Sequence, residues 1–129
     1  MAWVDAVGLL AVVQLFIFGS MVGWARGKYG VAAPATTGHP IFERYYRVQM
    51  NTVECLLVFL PSLWLAAKYW SPRYAAILGA IYLVGRVVYL TAYVKDPKTR
   101  GLGFSLSMGP AAVLVVAALI GAIRLLLQG

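Results

Sequence analysis

Four apolar stretches, Ala6 to Ala25, Val48 to Ala67, Tyr74 to Val94 and Leu102 to Ile123, take up most of a chain of 129 residues. Each has the roughly twenty residues that a helix needs to cross the hydrocarbon layer of a bilayer. Backbone N–H and C=O groups find no water there, so a crossing segment of this kind satisfies them internally, as helix. The rest of the composition agrees: 62% of the residues are apolar and 12% charged, against about 25% charged in a typical soluble domain. The expected fold class is all-α, an integral membrane four-helix bundle, with residues 1–129 as one domain. The first stretch has Asp5 before it, not a basic residue, and no small-x-small cleavage pattern before Arg26, so it is expected to be a retained helix and not a signal peptide.

The same inventory narrows the chemistry. One cysteine, Cys55, cannot form an internal disulfide, and with His39 as the one histidine a metal site built by the protein is not expected. Cys55 itself reads as a buried packing thiol. The net charge of +7 comes from residues at helix ends, not from a continuous basic patch, so nucleic acid is not an expected partner. Arg26, Lys28, Arg44, Arg47, Lys95, Lys98 and Arg100 fall on one side of a four-span topology, and Lys68, Arg73 and Arg124 on the other. The positive-inside rule then puts the first and third loops in the cytoplasm and both termini outside.

In order along the chain, a first helix is expected from about Trp3 to Trp24, with Gly19 and Gly23 spaced to admit a close helix neighbour and Arg26 and Lys28 at its end. Gly27 to Pro40 is glycine- and proline-rich loop, where His39 is expected in solvent. A second helix runs from Pro40 or Ile41 to about Tyr69 with a kink at Pro61. A tight turn at Trp70, Ser71 and Pro72 leads to a third helix, about Arg73 to Val94. After the loop Lys95 to Gly103, a last helix from about Phe104 to Leu127 reads as packing and lipid contact.

The stretch Glu43 to Glu54 is polar at the entrance of an apolar helix. At about 100° per residue, Glu43, Arg44, Arg47, Asn51 and Glu54 form one stripe and Gln49 points nearly opposite. On the third helix Tyr82, Arg86, Tyr89 and Tyr93 share a face. An arginine within a span is costly and calls for a partner; by depth, Glu54 is the expected one. Arg26, Arg44, Arg47, Gln49, Asn51, Glu54, Tyr89, Tyr93 and Arg100 are expected at one depth, a set suited to a ligand with at least two carboxylates and one ammonium group.

These motifs resemble those of the membrane-associated proteins in eicosanoid and glutathione metabolism, the MAPEG family. The resemblance spans nearly the whole chain and is most specific in Phe42-Glu43-Arg44, Arg47-x-Gln49-x-Asn51-x-x-Glu54, Arg86-x-x-Tyr89-x-x-x-Tyr93 and Arg100. It implies a homotrimer with glutathione as co-substrate between neighbouring subunits. Arg47, Asn51, Glu54, Tyr89, Tyr93 and Arg100 would come from one subunit, and Arg26 and Gln49 from the next. Arg100 would be the catalytic cation, stabilising the glutathione thiolate for attack on a lipophilic electrophile or a lipid hydroperoxide delivered from membrane lipid. Two departures, Cys55 where the leukotriene synthases have tyrosine and Gly27 where they have a second arginine, favour a general glutathione transferase or peroxidase. Two other readings stay open: a non-catalytic lipid-binding member of the family, and a small multidrug transporter using Glu54. The expected location is a bacterial inner membrane, with the endoplasmic reticulum as the alternative and the site on the cytoplasmic side.

Overall fold

The structure, a computed structural model, describes all 129 residues. It consists of four long helices, α1 (Ala2–Tyr29), α2 (Pro40–Tyr69), α3 (Pro72–Lys95) and α4 (Gly101–Gln128), with a single 3-10 turn at Pro97–Thr99 before α4. All four are long and apolar enough to cross a membrane, and the chain is an integral multi-pass membrane protein. Large apolar side chains such as Leu9, Phe16, Ile17, Val84, Val116 and Leu119 stay exposed on the outside of the bundle. Lipid tails are as apolar as these side chains, so packing them inward would gain little.

The helix ends show where local chemistry overrides a pattern-based boundary. α1 runs past Arg26 and Lys28 to Tyr29 because Gly30 supplies the left-handed C-cap, φ 69°, and its N–H bonds back to the Arg26 carbonyl. His39, expected in solvent, is instead a half-buried N-cap: its Nδ1 accepts from the Ile41 N–H at 3.1 Å. Its ring stacks on Tyr29 with centroids 4.2 Å apart. α2 continues through Pro61 as unbroken helix; a proline removes one ladder hydrogen bond, and here its ring is exposed. The loop expected from Lys95 to Gly103 is shorter than its glycines imply, because the 3-10 turn and the start of α4 absorb most of it.

α2 and α3 form the centre of the bundle, and α1 and α4 each pack against both. Val4, Val7 and Ala11 of α1, Phe59, Leu63 and Ala66 of α2, Ala75 and Tyr82 of α3, and Ala111, Leu114 and Ala118 of α4 make one continuous core. Close approach comes from glycines, as is common where helices meet without a hydrophobic driving force. A Cβ on Gly85 would lie 2.6 Å from the Leu106 carbonyl carbon and 2.7 Å from the Ser107 nitrogen, and one on Gly103 would meet the Tyr89 backbone. α3 and α4 therefore touch backbone to backbone near the arginine-rich end. The Gly19 and Gly23 pair does not receive a helix of this chain: Gly23 has nothing near it, and Gly19 meets only the Gln49 side chain.

Because backbone cannot retreat as a side chain can, Gly85→Ala is expected to destabilise the protein by about 1–3 kcal/mol, read as a lower thermal midpoint in detergent. Gly23→Ala, in open space, is expected to leave the midpoint unchanged or raise it slightly through better helix propensity.

Candidate functional site

The deepest polar feature is Arg86, fully buried on α3. Its guanidinium reaches across to α2, where Nη2 donates to Asn51 Oδ1 and Nη1 to Cys55 Sγ, each at 2.8 Å. The Tyr89 ring covers it, with the guanidinium carbon 4.4 Å from the ring centroid, and Nε has no partner. This corrects the expected Arg86–Glu54 pairing. Asn51 and Cys55 are one helical turn apart and share the face that meets α3. Glu54 is turned about 80° from the middle of that face, and its side chain is exposed. Depth along the helix suited Glu54; rotation around it did not.

From Arg86 the polar face continues outward. Tyr89 stacks on Tyr93 with centroids 5.5 Å apart, and the Tyr89 backbone is pressed against Gly103. Gly103 lies one turn into α4, so this contact fixes where Arg100, at the head of that helix, stands relative to the tyrosines. The turn before Arg100 is held by its own bonds: Asp96 Oδ1 accepts from the Lys98 N–H, and the Thr99 hydroxyl donates to the Ala92 or Asp96 carbonyl. Asn51, Arg86, Tyr89 and Tyr93 thus form one line of contacts, with Arg100 set beside it and exposed. Arg47 and Glu54 are exposed on α2, and no hydrogen bond within the subunit occupies either side chain.

Arg26 and Gln49 lie elsewhere, along the seam between α1 and α2. Arg26 Nη1 donates to the Ala35 carbonyl at 2.7 Å, and its guanidinium sits 4.8 Å from the Phe42 ring centroid. Gln49 rests on Gly19 and, with Leu15, Phe16 and Ser20, lines a hollow of about 400 Å³. The fold of the chain therefore does not bring Arg26 and Gln49 to the Arg86 line.

Two roles go beyond the reading of the sequence. Arg44, grouped with the ligand-facing cations by its angle, has a structural task. Its Nη1 donates to the carbonyls of Val94 and Lys95, at 2.9 and 3.1 Å, and so caps the end of α3. Cys55 does more than pack: it is an acceptor for Arg86, and its spacing of four from Asn51 is the signal the sequence offers. No cluster of three His, Cys, Asp or Glu side chains could hold a metal ion.

A four-helix membrane bundle with a buried arginine held by an amide, and unpaired charges around it, defines a class of intramembrane polar site. Residues 4–120 match the model of the MAPEG family, and the chain belongs to that family. It is 47% identical over 118 residues to an uncharacterized protein of Synechocystis, covering 92% of this chain and 86% of that one. It is 41% identical over 116 residues to human microsomal glutathione S-transferase 2, covering 90% and 79%. Guinea pig leukotriene C4 synthase is 39% identical over 102 residues, covering 74% and 68%.

Removing the cap at the end of α3 while keeping the aliphatic stem tests the assignment of Arg44. Arg44→Met is expected to cost about 1–3 kcal/mol, seen as a lower thermal midpoint and faster amide exchange at Lys95 and Asp96.

Proposed function

We propose that the protein is a membrane-bound glutathione transferase that binds glutathione between neighbouring subunits of a homotrimer. The observation that carries this reading is the set of exposed, unpaired charges, Arg47, Glu54 and Arg100, around the Asn51–Arg86–Tyr89–Tyr93 line. Charged side chains in membrane proteins commonly pair or mark ligand paths, and no hydrogen bond within the chain pairs these three. Glutathione offers two carboxylates for the arginines and an ammonium group for Glu54, so its charges complement this set. The named relatives, a glutathione S-transferase and a leukotriene C4 synthase, support the same reading.

In this reading Arg47, Asn51, Glu54, Tyr89 and Tyr93 hold the tripeptide, and Arg26 and Gln49 of the next subunit close over it. Arg100 places a cation beside the sulfur, so the thiol proton is lost to water and the thiolate persists. Each pKa unit gained is worth about 1.4 kcal/mol, and two units bring a thiol from about 8.5 to a form largely ionised at pH 7. The sulfur electron pair then forms the new bond to carbon as the leaving group departs with its own bonding pair. With a lipid hydroperoxide, the thiolate attacks the outer oxygen and the O–O bond breaks to release an alcohol. A second glutathione then converts the resulting sulfenic acid to the disulfide and water. The concentration of Lys and Arg at this end of the bundle favours a cytoplasmic site, in a bacterial inner membrane before an endoplasmic one.

Purified in detergent, the protein is expected to conjugate glutathione to a chlorodinitrobenzene and to migrate as three chains with glutathione bound. Arg100→Ala is expected to abolish the thiolate ultraviolet absorbance and lower kcat about 100-fold, with a smaller change in KM. If the wild type neither binds glutathione nor acts on an aryl halide or a lipid hydroperoxide, the lipid-binding reading replaces this one.

A further inference from the structure

We infer that Arg86 is a positioning residue that makes the Asn51 amide a hydrogen-bond donor only, and thereby restricts the glutathione group facing it to a carboxylate or a carbonyl. A side-chain amide can ordinarily turn over and present either its oxygen or its nitrogen. Here chemistry removes the choice. A guanidinium carries only donors and does not deprotonate, so the Asn51 atom that meets Nη2 at 2.8 Å is the carbonyl oxygen. Turning the amide over would set N–H against N–H, next to a cation that has no water around it.

The cation itself cannot shift to escape. Nη1 is committed to Cys55 one turn along α2, the Tyr89 ring lies over the guanidinium, and the whole side chain is buried. The Asn51 Nδ2 group, by contrast, has no partner within the half-buried side chain's own subunit. Its two N–H bonds are therefore offered outward, to an acceptor. A carboxylate or a peptide carbonyl satisfies them; an ammonium group does not. Of the polar residues on this part of α2, that leaves Glu54 to receive the ammonium group. An arginine that never touches the tripeptide thus decides which of its groups Asn51 can meet. This inference rests on the glutathione reading of the preceding subsection and adds to it the rule that keeps the ammonium group of the ligand away from Asn51.

The test is a double-mutant cycle read by equilibrium glutathione binding and by steady-state kinetics. Asn51→Ala and Arg86→Met are each expected to weaken glutathione binding about tenfold, and the double variant is expected to bind no more weakly than Asn51→Ala alone. Arg86→Lys, another donor without an acceptor, is expected to restore most of the affinity. Arg86→Met should raise KM for glutathione by a larger factor than it lowers kcat at saturation, since Arg100 still faces the sulfur, and Arg86→Lys should bring KM back toward the wild-type value. Asn51→Asp covers the case in which Arg86→Met does not fold. It gives Arg86 a carboxylate partner and should raise the thermal midpoint, yet it has no donor and should lose glutathione affinity as Asn51→Ala does. An equal loss from Arg86→Met whether or not Asn51→Ala is also present, or undiminished binding by Asn51→Asp, would overturn the inference while leaving the glutathione reading intact. Failure of the wild type to bind glutathione would overturn both.

Discussion

A guanidinium fully buried in a membrane bundle is the constraint to which the rest of the arginine-rich end is fitted. Arg86 has no carboxylate bonded to it. Its charge is spread over an amide oxygen, a sulfur and an aromatic face. Each contact fixes a neighbour. Asn51 and Cys55 hold the register of α2 against α3, Tyr89 is held over the cation, and Tyr93 stacks on Tyr89. The backbone of Tyr89 in turn needs Gly103, so the start of α4 and the place of Arg100 depend on the same centre.

Around that centre the cations divide by what they already hold. Arg44 is spent on the carbonyls that end α3, and Arg26 on the loop carbonyl of Ala35. Arg47 and Arg100, with Glu54 as the carboxylate, hold nothing in the subunit. Arg44 thus builds the end of the bundle, whereas Arg47, Glu54 and Arg100 are left without a hydrogen-bond partner in the chain. Two of these charges are also offset, Arg44 by the carbonyls at the negative end of the α3 dipole and Arg26 by a loop carbonyl.

Much of the fold is legible in the sequence. Four apolar runs correspond to four helices, and the polar stretch from Glu43 to Glu54 does enter the second of them. Helix angle separates Gln49 from Asn51, and in the structure Gln49 lies on Gly19 while Asn51 faces Arg86. The partner of Arg86 is not legible in the same way, because depth in the membrane and charge both favour Glu54, whereas rotation about α2 favours Asn51 and Cys55. The cap at His39 and the role of Arg44 are hidden for a related reason, since each depends on where another element ends.

The sequence by itself determined the class of solvent, the number of helices and the family, because the length of an apolar run and the order of a motif are local properties of the chain. Tertiary structure decided which face of α2 meets α3, which arginines are already occupied, and which glycines admit a neighbouring backbone. Those depend on the rotation and separation of helices. In lipid, these are set by close packing and hydrogen bonding between particular side chains, not by hydrophobicity.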